Sequence, residues 1–429
     1  IKKLRMNKKK TLVIGAGLMG ITSAYELMLR GHEVTLVDEL DSPASSASYA
    51  NAGMLTPSMP EPWNGPGVYK NLIKSLFNAD ASIRLRWHAI PGLMDWGIKF
   101  LKYSSKPYFE KACRDNFYLT SFSLKKTQET AERLSLDYCR GKLGTLSIFR
   151  QAEDFLVKQS LYQSLNEMGM NCDILETDEI IHLVPALSEM KSEIYKGIHF
   201  HEDEFGDAHL FCCELLENFI DGGGEVKYGE VVSKINIKNE KLIGITTSNG
   251  LIESDNILVC AGAKSPIILG TANINLDVKP AKGYSATTEI QNLKELLPLP
   301  VLDDSMNIVF TPLGNRLRMV STAEFAGYDN SIDKKRIEMM LESLNKILPR
   351  VFSRVNKDNI LPWTGHRPMS CDGKPFIGES KIKGLYVNCG QGPLGWTLAM
   401  GSANLIADII TRKKPAIDPM LFSMNRLAK

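Results

Sequence analysis

The sequence predicts an α/β protein in which a unit with a parallel sheet is interleaved with a second, α+β unit built on an antiparallel sheet. The first observation is a strand, a glycine turn, a helix and a second strand within residues 11–37. The second is that a buried strand of the same kind returns only at 255–263, after a long mixed region. The third is that segments 234–237 and 242–247 have the pattern of antiparallel strands. A chain of 429 residues can form two such units, each with its own core.

Composition excludes several classes of protein. Lys and Arg number 51 against 49 Asp and Glu, so the net charge of +2 gives no support for a nucleic-acid partner. The eight cysteines form no C-x-x-C pair and have no histidine cluster beside them, so no metal site is expected. Scattered core thiols are typical of a reducing compartment, and we expect a cytoplasmic protein.

The start of the chain has a basic segment followed by an apolar run, 11–29, that could be mistaken for a signal peptide or a membrane span. We reject both interpretations, because the run contains Glu26 and three glycines at the spacing of a dinucleotide-binding turn. It also ends in Arg30-Gly31-His32. No other stretch approaches the length of a span.

The N-terminal pattern is a complete dinucleotide-binding motif and predicts a Rossmann-like domain. A buried strand at 11–14 leads into the turn Gly15-Ala16-Gly17-Leu18-Met19-Gly20, and a helical pattern follows at 21–29. A second buried strand, 33–37, ends in Asp38. This order of elements binds a diphosphate at the helix N-terminus, where unpaired N–H groups and the helix dipole favour negative charge.

Each residue of the turn has an expected task. Gly15 permits the tight turn, Gly17 lets the backbone approach the diphosphate, and Gly20 lets helix and strand pack closely. Leu18 and Met19, in the same turn, are also expected to bind the cofactor.

The acids after the second strand bear on the nucleotide. Asp38, 18 positions after Gly20, is expected to accept hydrogen bonds from ribose hydroxyls. Glu39 would repel a ribose 2′-phosphate, which disfavours NADP.

The rest of the chain favours FAD over NAD. After Asp38 a loop-like segment, 42–67, rich in Ser, Ala, Pro and Gly, replaces the alternating strands and helices of a nicotinamide dehydrogenase. Near the end of the chain, another glycine cluster follows a strand at 384–389, and a buried helix is expected at 396–410. Glycine turns at both ends of the chain suit one long cofactor, held at its diphosphate and at its ring.

Several further segments follow one another along the chain in a recognisable order. They are Ser48-Tyr49-Ala50-Asn51-Ala52-Gly53, Gly206-Asp207, Lys282-Gly283-Tyr284-Ser285, Gly365-His366-Arg367-Pro368-Met369, Asp372-Gly373-Lys374-Pro375 and Gly392-Pro393-Leu394-Gly395-Trp396-Thr397. Together they resemble bacterial D-amino acid dehydrogenases of the glycine/D-amino acid oxidase superfamily, and the likeness runs from Thr11 to Ile410.

The resemblance implies oxidation of an amino acid by bound FAD. A hydride passes from Cα to flavin N5, the imine hydrolyses to a 2-oxo acid and ammonia, and the electrons go on to a quinone or other carrier. Two alternatives stay open: an oxygen-using oxidase of glycine, sarcosine or another secondary amine, D-proline derivatives included, and a flavin-binding subunit without turnover. The amino acid, its stereochemistry and the oligomeric state are left open.

The resemblance also implies catalytic residues. Arg367 is the candidate anchor for a substrate carboxylate. The alternative is that Arg367 is a structural residue whose charge is paired with a nearby acid of the protein. Tyr284 is expected to add a hydrogen bond to that carboxylate, with Tyr328 a weaker choice. His366, where many of these dehydrogenases have an apolar residue, is either a base or gate, or structural. Cys371 stands in place of a proline.

Cofactor contacts are expected from these motifs, from the end of the strand at 255–263 and from Val232, which is expected to lie near the adenine. The expected residues are Ser48, Asn51, Ala52, Gly53, Val232, Ala261, Gly262, Gly392, Gly395, Trp396 and Thr397. Sarcosine oxidases of this superfamily link flavin through a cysteine that would fall near Gly365, so Cys371 does not match it. We therefore expect noncovalent FAD.

The expected domain boundaries are discontinuous. The FAD-binding domain is assigned residues 11–59, 150–266 and 361–429, and the substrate domain residues 60–149 and 267–360. An amphipathic helix is expected at 334–348. The apolar residues of 87–101 favour core packing, with peripheral docking on the inner face of the plasma membrane as the alternative.

Overall fold

The computed structural model describes residues 9–77, 83–239 and 241–427. Its strands are β1 Lys10–Ile14, β2 Glu33–Val37, β3 Met54–Leu55, β4 Ile83–Leu85, β5 Thr145–Phe149, β6 Cys172–Leu175, β7 Lys196–Phe200, β8 Glu204–Phe205, β9 Glu225–Lys227, β10 Val232–Lys238, β11 Lys241–Thr247, β12 Gly250–Glu253, β13 Asn256–Val259, β14 Val278–Glu289, β15 Val301–Asp303, β16 Ile308–Leu313, β17 Arg316–Phe325, β18 Leu361–Ser370, β19 Phe376–Glu379 and β20 Leu385–Cys389. Its helices are α1 Leu18–Leu29, α2 Val68–Phe77, α3 Ile90–Lys102, α4 Lys106–Leu134, α5 Ala152–Glu167, α6 Thr177–Leu183, α7 Ala208–Asp221, α8 Ser265–Gly270, α9 Leu293–Leu296, α10 Lys334–Ile347, α11 Pro349–Phe352 and α12 Ala399–Thr411.

The N-terminal motif forms the centre of a mostly parallel sheet. Its strand order is β19-β20-β13-β1-β2-β9, and every pair except β19 with β20 is parallel. This confirms the predicted strands at 11–14, 33–37 and 384–389, whereas the strand expected at 255–263 is shorter and covers Asn256–Val259.

Both faces of this sheet are covered, which explains the unbroken apolar runs of its strands. Val13 of β1 packs in a core with α1, α7 and α12, whereas Leu12 and Ile14 point into a second core on the other face. That second core is closed by the antiparallel sheet β10-β11-β12. The predicted antiparallel pair at 234–237 and 242–247 is therefore confirmed.

A larger, mainly antiparallel sheet forms the other half of the molecule. Its order is β18-β14-β17-β16-β15-β5-β7-β6, with β4 beside β17. One face packs against a core that includes the buried side of α10, such as Met340 and Leu344. This confirms the amphipathic helix expected at 334–348. The opposite face borders the cavity described below.

Sheet membership differs from the expected domain boundaries. Strands β6, β7 and β18 hydrogen-bond within the large sheet, although the expected boundaries put 150–266 and 361–429 in the FAD-binding domain. The physical reason is that backbone hydrogen bonds decide which sheet a strand joins, and β18 pairs with β14 of the large sheet over ten residues of each strand. We therefore propose that residues 145–200 and 361–370 belong with the substrate domain.

In the described residues no helix is both long and apolar enough to cross a membrane. The helix expected at 396–410 begins only at Ala399, because a short 3₁₀ turn, Gly392–Leu394, and the residues after it precede α12.

Candidate active site

A cavity of about 1460 Å³ lies between the two sheets. Its wall contains most of the residues expected to bind a cofactor: Gly15, Gly17, Leu18, Met19, Asp38, Glu39, Ser48, Asn51, Ala52, Gly53, Val232, Ala261, Gly262, Gly392, Gly395 and Trp396. Gly20 and Thr397 do not line it. Thr397 lies behind the wall, where its Oγ1 accepts from the Thr56 N–H at 3.0 Å.

The three glycines of the first turn have different surroundings. Gly15 has φ +105°, and a Cβ there would lie 2.6 Å from the Cys260 carbonyl oxygen. A Cβ at Gly20 would overlap the Gly15 carbonyl oxygen. At Gly17 a Cβ would meet only Ser48 Oγ, at 3.3 Å, so this backbone is bare toward the cavity. The turn is thus compact on its inner side and open where a diphosphate would approach.

Asp38 is held at the cavity wall by the same turn. Its Oδ2 accepts from the Ala16 N–H at 2.5 Å and its Oδ1 from the Leu40 N–H at 2.8 Å. Burial raises the pKa of this carboxyl. Each carboxylate oxygen retains a further acceptor site for a ribose hydroxyl. Glu39 forms an ion pair with Lys264.

Ser48 has a role that the sequence did not indicate. Its Oγ accepts from the Leu18 N–H at 3.1 Å, and it therefore satisfies one of the free donors at the start of α1.

The second glycine turn is tied to the first helix by buried amides. Gln391 Nε2 donates to Asn388 Oδ1 at 2.7 Å, and Asn388 Nδ2 donates to Ser23 Oγ at 3.1 Å. A Cβ at Gly395 would meet nothing within 4 Å. This corrects the expectation that a helix opens directly on the turn: the wall there is a 3₁₀ turn with bare backbone.

The donors and spaces in this cavity fit a flavin nucleotide. Bare backbone occurs at Gly17 near one end of the chain and at Gly395 near the other, and both line the same cavity. Several lining side chains have a buried polar atom without a partner among the described residues: Ser285 Oγ, Thr322 Oγ1, Trp363 Nε1, Arg367 Nη1 and Trp396 Nε1. Unpaired buried polar atoms in such number are expected where a polar ligand belongs.

Arg367 projects from the cavity face of the large sheet. Its partner across the ladder is Ala281, and its guanidinium lies over Gly283, where any Cβ would clash with it. The ring of Trp63 lies 5.3 Å from its Cζ. Within the described residues it makes no hydrogen bond or ion pair, which excludes the acid-paired structural arginine there. Burial lowers its pKa to about 10, so it is cationic at neutral pH.

Tyr284 lines the same cavity, but its hydroxyl points to the opposite face of the sheet, which corrects the expectation that it binds the same carboxylate as Arg367. Neighbouring strand residues point to opposite faces, and Gly283 is on the face of Arg367. The Tyr284 hydroxyl donates to Glu324 Oε2 at 3.0 Å, in a buried group with Lys282.

His366 also points away from Arg367. Its Nε2 lies 3.2 Å from the Asp329 carbonyl oxygen, and burial lowers its pKa. The weaker candidate Tyr328 donates to the Ala263 carbonyl at 2.9 Å. Cys371 is buried in a core that contains Trp96, outside the cavity wall, and burial raises its pKa to about 12.

A β-bulge in the wall could not be found from the sequence. Gly283 pairs with Ala323 but Tyr284 pairs with Ser321, so Thr322 is left over between them. Its φ of +57° is unusual for a β-branched residue and costs about 1–3 kcal/mol. Such strain is commonly kept at functional sites.

The loop that carries Trp63 is held by a buried acid, Asp203. Its Oδ2 accepts from Ser58 Oγ at 2.5 Å and from Thr145 Oγ1 at 2.6 Å. Burial raises the pKa of this carboxyl from 3.8 to about 7. A proton bound more tightly in the folded chain stabilises it at low pH, and this contribution is lost as the pH rises through 7.

We therefore predict that Asp203→Asn flattens the pH dependence of stability. Between about pH 5 and 8 the wild type should lose up to about 3 kcal/mol of stability relative to the variant. The melting temperatures of both proteins across this range measure it. Parallel curves would show that Asp203 does not titrate there. Asp173→Asn, at an exposed carboxylate paired with His201, is the control.

Among the described residues no group of three or more His, Cys, Asp or Glu side chains is arranged to hold a metal ion.

Comparisons with known proteins show the family and the fold of the chain. The family model described as FAD dependent oxidoreductase (DAO) matches residues 10–409. The D-amino acid dehydrogenase of Dechloromonas aromatica is 31% identical over 411 residues, which cover 95% of this chain and 98% of that protein. That of Rhizobium rhizogenes is 32% identical over 417 residues, 97% and 99% of the two chains. The glycine oxidase structure from Geobacillus kaustophilus has a TM-score of 0.76 at 20% identity and covers 98% of this chain and 100% of that one. The chain belongs to the DAO family of FAD-dependent oxidoreductases.

Proposed function

We propose that this enzyme oxidises a D-amino acid to its imine, which hydrolyses to a 2-oxo acid and ammonia, and that its electrons pass to a quinone or another carrier. The observation that carries the proposal is Arg367, a cation with no hydrogen-bond or ion-pair partner among the described residues, in the wall of a cavity that also contains the glycine turns. The names of the relatives support an amino acid as the substrate and favour the D configuration.

The residues of the chain bind and orient the substrate. Arg367 holds the α-carboxylate through two parallel N–H donors, the geometry that a guanidinium offers a carboxylate. Trp63 packs against the guanidinium, and Gly283 leaves the space beside it. FAD, when bound, supplies the acceptor for the hydride of the substrate Cα–H.

The cofactor residues are proposed from their positions. Gly17, Leu18 and Met19 would face the diphosphate, and Asp38 the ribose. The wall near the flavin ring would be formed by Asn51, Ala52, Gly53, Gly392, Gly395 and Trp396. We propose His366 as a wall residue rather than a base, because its ring faces away from Arg367.

We predict that FAD is held without a covalent bond, because Cys371 does not line the cavity and the Cys260 thiol, which does, is buried with its pKa raised above the usual range. The protein is precipitated with acid, and the flavin colour is then sought in the supernatant. A yellow pellet would contradict the prediction. A second precipitation after denaturation in guanidinium controls for trapped flavin.

The experiment for the proposed function is anaerobic mixing of the FAD-loaded protein with D- and L-amino acids. Loss of the visible flavin absorbance with D-amino acids, and little loss with their L-enantiomers, is expected. No reduction by any amino acid would support the flavin-binding subunit without turnover.

The oxidase of glycine or another secondary amine is the second candidate, supported by the fold shared with glycine oxidases. Peroxide release under air, compared with reduction of a quinone analogue, separates the two.

Membrane association stays part of the proposal. Along 87–101, Trp96 and Phe100 are buried, which fits core packing, whereas Trp87, Met94 and Ile98 are exposed, which supports peripheral docking on the inner face of the plasma membrane. Co-sedimentation with anionic vesicles tests this, and we otherwise propose the cytoplasm as the location.

A further inference from the structure

The cavity wall contains a cluster of three charged side chains that interact with one another and have no task in the reaction proposed above. We call them the charged end: Glu61, Lys158 and Asp304. Lys158 Nζ lies 3.1 Å from Glu61 Oε1 and 4.0 Å from Asp304 Oδ1. Two carboxylates therefore share one ammonium, and the charged end has an excess negative charge.

The neighbouring residues maintain the excess negative charge of the charged end. The pKa of Lys158 is held above its usual range, first by the charge of Glu61. A further carboxylate, Asp154, lies near Asp304, where Ser305 Oγ donates to Asp154 Oδ2 at 3.4 Å. The Glu61 side chain is only 14% exposed, so solvent screens it weakly.

The charged end shares its wall with the carboxylate anchor. Glu61 is two residues from Trp63, so their Cα atoms lie within about 7 Å of each other. The Trp63 ring in turn contacts Arg367, at 5.3 Å. The wall next to the charged end is apolar, formed by Met59, Leu161 and Leu302.

We propose that the enzyme selects D-amino acids with a long cationic side chain, whose charged tip binds Glu61 while the α-carboxylate binds Arg367. The apolar wall accommodates the methylene stem of such a side chain, as lysine and arginine stems pack elsewhere. An anionic side chain meets the excess negative charge instead. This inference rests on the proposed function.

The test compares D-lysine with D-norleucine, which has a similar stem but no ammonium, and with D-glutamate. Using FAD-loaded enzyme and a dye acceptor, kcat/KM for D-lysine should exceed that for D-norleucine about 10-fold, and that for D-glutamate by more. Glu61→Gln should lower the D-lysine to D-norleucine ratio toward one, through KM. Glu61→Lys should shift preference toward D-glutamate. Glu153→Gln, at an exposed position in the first turn of α5, is the matched control and should keep the ratio.

The outcomes separate this inference from the proposed function. Equal kcat/KM for D-lysine and D-norleucine in the wild type would overturn the inference alone, as would a Glu61→Gln variant with an unchanged ratio. Failure of every D-amino acid to reduce the flavin would overturn both.

Discussion

Replacing Arg367 by alanine is expected to raise KM for the amino acid about 30- to 5000-fold while FAD stays bound. The range corresponds to about 2–5 kcal/mol for loss of a buried, charge-assisted contact. Arg367 has no ion-pair partner among the described residues, so its removal leaves no buried carboxylate without a counter-charge. The melting temperature of the variant should therefore equal or exceed that of the wild type. Steady-state kinetics and a thermal melt measure the two effects.

The controls for Arg367 separate charge from geometry. Arg367→Lys keeps the charge but loses the fork of donors, so an intermediate KM is expected. Arg354→Ala, at an exposed arginine, should change nothing. An unchanged KM in Arg367→Ala would remove Arg367 from the site.

Replacing Gly17 by valine is expected to abolish retention of FAD. A Cβ at this position meets only Ser48 Oγ, at 3.3 Å, so the chain itself accommodates the Cβ with a small shift of that side chain. The same atoms would occupy the space where the diphosphate approaches the helix N-terminus. Absorbance of the purified protein, before and after incubation with FAD, measures the loss.

Two other glycines show whether the effect is specific. Gly92 lies in α3 with nothing within 4 Å of a Cβ, so Gly92→Ala should bind FAD normally. Gly15→Val should instead disturb folding, because its Cβ meets the Cys260 carbonyl oxygen. A Gly17→Val variant that purifies yellow would contradict the placement of the diphosphate.

The parallel sheet could be predicted because its signals are local. Continuous apolar strands, a glycine turn and a terminal acid lie within residues 11–38, and each makes the assignment of the others more secure. Sheet membership of β6, β7 and β18 could not, because the partner of a strand is chosen by contacts far away in sequence. The local pattern of β18 gives no indication that β14 will pair with it.

The identity of the site residues could be predicted from the sequence better than the direction in which their side chains point. Arg367 could be named from its motif, but whether Tyr284 faces it depends on the register of β14 and β18. The bulge at Thr322 and the buried amides Asn388 and Gln391 arise from pairing that no local pattern shows. Trp63 lies in a segment whose composition indicates only a loop.

The central claim is that Arg367 holds a carboxylate beside the bound flavin in one cavity. The most direct measurement is a spectral titration of the FAD-loaded protein with an amino-acid analogue that has a carboxylate but no oxidisable Cα–H. A saturable change in flavin absorbance is expected for the wild type, with a Kd raised at least about 30-fold in Arg367→Ala. Equal Kd values for the two proteins would contradict the claim.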